Sequence, residues 1–454
     1  MKARKIKTDR SHYLFTNQML VSLIIPLIVE QLLAVLVGMA DSIMIASVGE
    51  AAVSGVSLVD SVMLLLINIF AALATGGAVV AGQYLGQKNT KKACEASDQL
   101  VWFVTVIALV IMAFLYLGKS FILHTVFGKI DADVMEHANI YLIIVSASIP
   151  FIAIYNAGAA IFRSMGNSKV SMKVSIIMNI INVSGNAILI YGFHRGTEGV
   201  AIPTLVSRIV AAVLITILLC NETLPLHINK SLNFHFRWNV IKKILHIGIP
   251  NGLENSMFQL GKIIVLSLVS TFGTFAIAAN AVSNVLAAFE VLPGMAVSLA
   301  ITTVIAQCVG AGDYEQVIYY TKKLLIIVYA CIFVTVAITL GCMPVVLKAY
   351  NLSAATAAET MKIMVFHSAC ACVIWPLSFA LPATFRASGD VRFSMMSSII
   401  SMWICRIIFS YILGKYLGLG VFGVWVAMVL DWCVRMVCFF IRYKSGRWKG
   451  RAVV

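Results

Sequence analysis

Two carboxylates stand inside a long apolar stretch near the start of the chain. The stretch runs from Ile25 to Ser57 and carries Glu30 and Asp41 among residues that suit a membrane interior. A charged group in a spanning helix is costly, so it usually faces a protein interior or a water-filled cavity and serves a function. A core helix of a soluble protein could also bury one, but the composition of the whole chain argues against this. Asp41 is therefore the first candidate for binding a proton or a cation.

A row of amides further along the chain offers partners for such a carboxylate. In the fifth predicted span, Asn179, Asn182 and Asn186 stand at i, i+3 and i+7 and so share one helical face. Thr204 adds a hydroxyl in the sixth span. Together with Asp41, these groups could hold a proton or coordinate Na⁺ through oxygen. The alternative is that the amides join helices by hydrogen bonds, as polar side chains commonly do in membrane bundles.

The second half of the chain carries its own polar groups in apolar surroundings. The seventh span has a polar stripe with a flanking acid, and the eighth span has one acid: Asn251, Asn255, Gln259, Lys262, Glu254 and Glu290. Lys262 and Glu290 are predicted to be mutual partners, since each alone would be costly in the membrane. A structural ion pair and a functional pair both fit this pattern. Glu254 is a better functional candidate than Glu30, because its flank is more polar.

The composition indicates a membrane as the solvent of this chain. Of 454 residues, 61% are hydrophobic and 12% are charged, against roughly 25% charged residues in soluble domains. Successive apolar runs each reach the ~20 residues that a helix needs to cross a bilayer. We predict an all-α polytopic membrane protein with twelve transmembrane helices. The predicted spans are residues 19–47, 54–84, 97–117, 138–162, 170–192, 199–221, 246–271, 279–310, 323–343, 362–385, 393–414 and 420–441.

The positive residues predict an orientation. Of the 34 lysines and arginines, 24 fall in loops on the side of the termini and 6 in loops on the opposite side. Cytoplasmic loops carry such an excess, so both termini are expected to be cytoplasmic. The same distribution argues against nucleic acid as the partner of a chain with net charge +15. The remaining four cations lie within spans, as do two acids of ambiguous role: Arg208, Lys262, Arg406, Arg435, Asp60 and Asp431.

The chain contains an internal repeat with an offset of 223 to 224 residues. The segment IPLIVEQ returns as IPNGLEN, which aligns Glu30 with Glu254, and FRSMGNSKVSM returns as FRASGDVRFSM. Asp41 does not return, because Val265 takes its place. Six spans in each half make this a parallel repeat about an axis along the membrane normal. Two six-helix lobes around a central cavity argue for alternating access, and a channel or sensor is the less favoured alternative.

The repeat also predicts domain boundaries. Residues 1–221 form an N-terminal lobe, residues 222–245 a cytoplasmic linker, and residues 246–454 a C-terminal lobe. Trp238 to His246 looks amphipathic. It is either a helix that lies in the membrane interface or a simple extension of the seventh span.

Enzyme chemistry is not supported by any motif. The chain has no P-loop, no HExxH and no GxSxG. Its ten cysteines lie mostly in apolar runs, without a CxxC pair or the spacing of a metal site. We therefore expect neither an enzyme nor a cofactor, and no bound metal other than a coupling ion.

Several segments together resemble the multidrug and toxic compound extrusion (MATE) family of secondary transporters, within the multidrug/oligosaccharidyl-lipid/polysaccharide flippase superfamily. They are the Ala-Asp-Ser around Asp41, GQYLGQKN, FRSMGNSK, LVSRIV, GIPNGLENSMFQLGK and SGRWK, and they cover nearly the whole chain. The resemblance implies twelve helices in two lobes and efflux of cationic, amphiphilic compounds against entering H⁺ or Na⁺. The implied ion-coupling residues are Asp41, Asn182, Asn186 and Thr204 in the first lobe and Glu254 in the second.

Two features depart from the family pattern. The position of Asn186 is often aspartate in the family, so the first-lobe site here has one carboxylate. The tenth span has no acid, whereas some Na⁺-coupled relatives carry one there. A lone carboxylate with neutral partners fits coupling to one proton better than coupling to Na⁺, because it leaves less charge to offset a cation. Na⁺ at Asp41 or Glu254 is the alternative.

The sequence thus predicts a monomeric H⁺- or Na⁺-coupled efflux antiporter of the cytoplasmic membrane, whose partners are small-molecule substrates and the lipid bilayer. Further polar residues of the cavity or of the scaffold are expected to be Asn179, Asn255, Gln259, Lys262 and Glu290. The alternative within the superfamily is a lipid-linked glycan flippase. Such flippases tend to have a strongly cationic cavity, and only Arg208, Lys262 and Arg406 are candidates for one here.

Overall fold

The chain was analysed as a computed structural model that describes residues 13–128, 130–229 and 235–454. The predicted cytoplasmic N-terminus and the middle of the predicted linker lie outside the described residues. The N lobe consists of α1 (Asn17–Ala46), α2 (Glu50–Gly86), α3 (Thr90–Leu117), α4 (Ala132–Ser146), α5 (Ile149–Ser164), α6 (Ser168–Gly192) and α7 (Glu198–Leu219). The C lobe consists of α8 (Trp238–Ser270), α9 (Thr274–Gly310), α10 (Tyr314–Ala349), α11 (Ala354–Ala387), α12 (Val391–Tyr416) and α13 (Gly420–Lys444).

These helices make up twelve spans, which confirms the predicted fold class. In the described part of the chain, ten helices are long and apolar enough to cross a membrane, and α4 with α5 forms one further span bent by 48°. The bend follows from Pro150 at the start of α5, which has no backbone N–H to continue the helix. Helix α8 is the twelfth span. Its 33 residues suffice in length, but its polar stripe keeps it from being among the ten most clearly apolar helices.

The two lobes repeat the same local devices at equivalent positions. Asn89 caps the start of α3 by accepting the backbone N–H of Lys92, and Asp313 caps α10 by accepting that of Gln316. The turns after α5 and α11 each contain a glycine with positive φ, 80° at Gly166 and 88° at Gly389. Other residues rarely adopt this backbone conformation. The repeat seen in the sequence is therefore a repeat of caps and turns as well as of apolar runs.

The segment from Trp238 to His246 continues into α8 without a break. Of the two alternatives predicted for it, the structure shows the extension of the seventh span rather than a separate interfacial helix. Its buried residues, among them Ile241 and Ile244, pack into the core that the lobes share.

The lobes meet through a reciprocal pair of hydrogen bonds. Gln83 of α2 donates from Nε2 to the carbonyl oxygen of Ala387 at 2.8 Å, and Gln307 of α9 donates to the carbonyl oxygen of Ser164 at 2.6 Å. Each glutamine thus satisfies a carbonyl at the end of a helix in the other lobe. Gly86 and Gly310 allow this approach, because a side-chain carbon at either position would overlap the backbone of the opposite lobe.

Both ends of the described chain lie on one side of the bundle, here called the terminal side. Phe15 donates its backbone N–H to the hydroxyl of Tyr320 at the start of α10, and Trp448 packs against Tyr314 beside it. Every hydrogen bond that joins the two lobes within the described residues lies on this side. The lobes are therefore closed at the terminal side, and the cleft between them opens to the opposite side.

Candidate functional site

The N lobe holds a chain of polar side chains that starts at Asp41, in the half of the lobe away from the terminal side. Asn186 of α6 donates from Nδ2 to Oδ1 of Asp41 on α1 at 2.7 Å. Asn182 donates to the hydroxyl of Thr204 on α7 at 3.1 Å, and it lies 3.5 Å from the amide of Asn186. The structure thus brings together the four residues that the sequence proposed as the first-lobe coupling site.

Close packing of α6 against α7 makes this arrangement possible. Gly185 leaves no room for a side chain beside Pro203, so the two helices approach each other there. Asn182 and Asn186, one turn apart on α6, can therefore reach α7 and α1 with the same face. Thr204 donates its hydroxyl proton to the carbonyl oxygen of Val200 at 2.8 Å, which leaves its oxygen free to accept from Asn182. The hydroxyl is fixed as an acceptor toward the site.

The polar chain has unused capacity for a cation. Oδ1 of Asn186 is buried and has no hydrogen-bond donor among the described residues, although buried amides are normally satisfied. Asp41 itself is only half-buried. A proton on Asp41 could be donated to an amide oxygen after the Asn186 amide turns over. An Na⁺ ion could instead take oxygen ligands from the carboxylate, the amides and the hydroxyl of Thr204.

A second acidic group, whose role the sequence left ambiguous, lies near this chain. Asp60 of α2 accepts a hydrogen bond from the hydroxyl of Tyr141 at 2.9 Å. Arg208 of α7 donates to Ser148 at 2.7 Å and interacts electrostatically with both Asp60 and Asp41. The sequence marked Asp60, like Asp41, as an acid within a spanning helix, but it indicated no partner for it. The neighbourhood holds two carboxylates and one guanidinium, a net negative charge if all are ionised.

Asn179 stands apart from the Asp41 chain. Its amide donates to the hydroxyl of Ser175 at 3.4 Å, one turn nearer the terminal side on the same helix. Sharing a helical face with Asn182 therefore did not place it in the same network.

Glu254, the predicted coupling acid of the second lobe, lies at the middle of α8. It accepts hydrogen bonds from Ser398 at 2.7 Å and Ser394 at 3.5 Å and lies 3.9 Å from a guanidinium nitrogen of Arg386. Glu30 has the equivalent surroundings in the N lobe: Ser171 at 3.1 Å, Tyr155 at 3.4 Å and Arg163 at 3.7 Å. The environments of the two acids do not differ in the way the sequence suggested.

The predicted pairing of Lys262 with Glu290 is wrong. Glu290 of α9 is fully buried, and its carboxylate accepts from Ser368 at 2.6 Å and pairs with Nδ1 of His367 at 2.9 Å. Both partners are on α11, in a run that reads as apolar apart from them. Lys262 is exposed, with its ammonium 4.9 Å above the ring of Phe258. The two residues failed to pair because α9 turns Glu290 toward α11 and away from α8.

Asn255 and Gln259 are half-buried on the same face of α8 as Lys262. Neither side chain forms a hydrogen bond within the described part of the chain. Lower on this helix, Gly252 lies against Ala72 of the N lobe. Since the lobes diverge away from the terminal side, the upper part of that face borders the cleft.

Comparison with known proteins agrees with this architecture. The MatE family model matches the chain twice, over residues 26–188 and 250–412. Both matches are related by the 224-residue offset of the internal repeat. The chain is 27% identical over 459 residues to the uncharacterized transporter YisQ of Bacillus subtilis, covering 99% of this chain and 98% of that protein. It is 26% identical over 444 residues to the probable multidrug resistance protein NorM of Thermotoga maritima, covering 96% and 94%.

A solved structure shares the fold. It is described as the outward-facing conformation of a multidrug resistance MATE family transporter of the MOP superfamily. The TM-score is 0.87 at 21% sequence identity, with 94% of each chain covered. The family matches span both lobes, including the segments of Asp41, Asn186 and Glu254, and the resemblance seen in the sequence is confirmed. The chain belongs to the MatE family of multidrug and toxic compound extrusion transporters.

Proposed function

We propose that this protein is a secondary active antiporter that exports cationic or amphiphilic small molecules in exchange for H⁺ or Na⁺. The observation that carries the proposal is the hydrogen-bonded chain from Asp41 through Asn186 and Asn182 to Thr204. It lies in one lobe, beside a cleft that is closed on the terminal side. The multidrug resistance proteins among the relatives support the substrate class.

Asp41 is the group that can link ion binding to substrate binding. Its carboxylate can hold a proton, a sodium ion or the positive group of a substrate, and these occupants compete for the same oxygens. Ion binding would also rearrange the hydrogen bonds between α1 and α6, because Asn186 donates to the carboxylate. An ion that favours one arrangement of these helices shifts the balance between the two states of the lobe. This coupling is what exchange transport requires.

The interface between the lobes supports alternating access. Gln83 and Gln307 hold the terminal side closed through bonds of the same type in both directions. A pseudo-twofold interface of this kind can open by a rocking motion of one lobe against the other. The ions and substrates would then reach the same central site from one side of the membrane at a time.

The excess of lysines and arginines on the terminal side supports an orientation with both termini in the cytoplasm and the cleft open outward. Cysteines introduced at Lys88 and at Arg392 should resist an impermeant thiol reagent in intact cells. A cysteine at Arg195, in a loop on the opposite side, should react. The reverse pattern would overturn the orientation and turn the proposed export into import.

The coupling ion is tested by transport in vesicles of defined composition. Purified protein is reconstituted into liposomes loaded with a fluorescent organic cation, and either a pH gradient or a Na⁺ gradient is imposed. One carboxylate with neutral partners at Asp41 favours one proton per cycle, so we expect the pH gradient to drive dye movement. Movement driven only by Na⁺ would assign the site to Na⁺. No response to either gradient would contradict the antiport proposal.

We propose that the protein works as a monomer in the cytoplasmic membrane, without a cofactor or nucleic acid. The support for a monomer is that one chain supplies both lobes around the cleft. The support against a nucleic-acid partner is that the positive charge is spread over several short loops and does not form one binding surface.

A further inference from the structure

Three cationic side chains converge on one aromatic ring in the C lobe. The ring of Phe258 on α8 has the ammonium of Lys262 at 4.9 Å, the guanidinium of Arg406 at 5.2 Å and the guanidinium of Arg435 at 5.6 Å from its centroid. They come from α8, α12 and α13, so the cluster is a feature of the folded lobe. We call Lys262, Arg406 and Arg435 the cationic cluster.

Only one of these cations has a carboxylate partner. Arg435 donates to Asp431 at 2.9 Å and to the carbonyl oxygen of Ser398 at 3.1 Å. Within the described residues, Arg406 and Lys262 have no acidic group within 4.0 Å. The cluster therefore carries two positive charges in excess.

The nearby acids of the lobe are engaged elsewhere. Glu254 lies in an ion pair with Arg386, and Glu290 is held by His367 and Ser368. Neither is available to neutralise Lys262 or Arg406, which repel each other electrostatically. Asp431 attracts Arg406, but its single negative charge is already shared with Arg435. An excess of charge at this depth is costly in a membrane and is retained where it serves a function.

Arg406 is the strongest indication that a ligand belongs here. It is 8% exposed, and its side chain donates no hydrogen bond in the described part of the structure. Its Nε is buried and without an acceptor. A guanidinium offers five donors in a planar fork, which fits the two oxygens of a carboxylate or phosphate. A carboxylate or phosphate would supply the hydrogen-bond acceptors that the Arg406 guanidinium lacks within the described residues.

The cluster borders the same cleft as the Asp41 chain. Lys262 is exposed and lies on the face of α8 that carries Asn255 and Gln259, the upper part of which borders the cleft. The polar groups near Asp41 thus carry an excess of negative charge, and those near Lys262 carry an excess of positive charge at a similar position along the repeat. In the repeat, Val265 replaces Asp41, while Lys262 stands one turn before it.

We propose that the cationic cluster binds an anionic group, a carboxylate or phosphate, of the transported molecule. The protein then takes zwitterionic amphiphiles in preference to simple cations: the positive part faces the acids of the N lobe and the negative part faces Lys262 and Arg406. This inference rests on the proposed function, since it specifies the substrate class of the same cleft.

The test compares two dyes that differ in one group. Rhodamine 110 has a free carboxylate, and rhodamine 123 is its methyl ester. Binding of each dye to the purified protein in nanodiscs is measured by fluorescence anisotropy. We expect the wild type to prefer rhodamine 110 by about tenfold, the effect of one charge-assisted interaction. Lys262→Met and Arg406→Gln should remove the preference and leave the affinity for rhodamine 123 unchanged.

The control is Lys362→Met, which removes a lysine that also lies over a phenylalanine ring, 4.1 Å from that of Phe422, but outside the cluster. It should keep the preference. Equal binding of both dyes by the wild type would overturn the inference and leave the proposed function standing, whereas binding of neither would contradict the proposed substrate class as well. Nanodiscs of phosphatidylcholine are compared with nanodiscs that also contain phosphatidylglycerol. Loss of the preference only in the latter would assign the cluster to a lipid headgroup and overturn the substrate version.

Discussion

Gln83 and Gln307 occupy equivalent positions in the two lobes and make the same hydrogen bond in opposite directions. Gln83 reaches the carbonyl oxygen of Ala387 at 2.8 Å, and Gln307 reaches that of Ser164 at 2.6 Å. Ala387 and Ser164 are themselves equivalent in the repeat, 223 residues apart. The interface is therefore self-complementary in the way that the interface of a twofold symmetric dimer is. The duplication therefore supplies two copies of one contact to the interface that closes the terminal side.

This relationship predicts how the closed terminal side can be weakened. Changing both glutamines to alanine removes three interlobe bonds, each worth about 1 kcal/mol, because Gln83 also accepts from the backbone N–H of Val453 at 3.0 Å. The double variant should shift the population toward a state open on the terminal side, and Gln83→Ala alone should shift it more than Gln307→Ala alone. Spin-label distances across the terminal side would measure the shift. The control is Gln87→Ala, which removes an exposed glutamine of the terminal side whose side chain makes no hydrogen bond within the described residues. A double variant with unchanged distances would contradict the role.

Glu30 and Glu254 are predicted to respond alike. Each acid accepts a hydrogen bond from a serine of the equivalent helix of its lobe, Ser171 on α6 or Ser398 on α12, and has one arginine within 4 Å. Glu30→Gln and Glu254→Gln should therefore cause similar, moderate losses of dye efflux, within about threefold of each other. Initial efflux rates, normalised to protein in the membrane, provide the measurement. A loss confined to Glu254→Gln would restore the special coupling role that the sequence suggested for it.

The sequence predicted the architecture well because its signals are local or repeated. Apolar runs gave the spans, and the loop charges and the offset gave two parallel lobes. Helical spacing also grouped Asn182 with Asn186. The sequence could not show which helices are neighbours, since that depends on packing between distant segments.

Glu290 shows this limit. Its partners His367 and Ser368 lie on α11 in a run of otherwise apolar residues, so the sequence favoured Lys262, the more conspicuous charge, as its partner. Asp60 was recognised as an acid within a span, but its contact with Tyr141 depends on how α2 packs against α4. Likewise, Gln83 and Gln307 marked the repeat without showing that each reaches the other lobe.

The buried pair of Glu290 and His367 predicts a stability effect. Glu290→Leu leaves the imidazole and Ser368 without their acceptor in a fully buried place, so unfolding should become easier by about 3 kcal/mol. Glu290→Gln keeps an acceptor oxygen and should cost about 1 kcal/mol. The thermal unfolding midpoint in detergent would rank the variants. Lys262→Met is the matched control and should leave the midpoint unchanged. A large loss in that variant would show that Lys262 does support Glu290.

The hydrogen bond between Asn186 and Asp41 leads to the prediction that tests the proposed mechanism most directly. Asp41→Asn preserves shape and some hydrogen bonding, so the variant should fold and reach the membrane. An amide cannot take up and release a proton, and it has no net charge to offer Na⁺ or a cationic substrate. Gradient-driven efflux of a dye should therefore fall by about tenfold or more, the scale of an energetic coupling between ligands.

Two comparisons separate a coupling role for Asp41 from a structural one. Glu30→Gln removes an acid from the same helix, one that already has Arg163 within 4 Å, and should reduce efflux less. Asn186→Asp adds a second carboxylate beside Asp41, so it should keep transport but change its dependence on pH or Na⁺. Both variants are assayed in the same liposomes under opposed gradients. If Asp41→Asn exported dye at the wild-type rate with the same dependence on the gradient, Asp41 would not be the coupling residue, and Glu254 would be the next candidate.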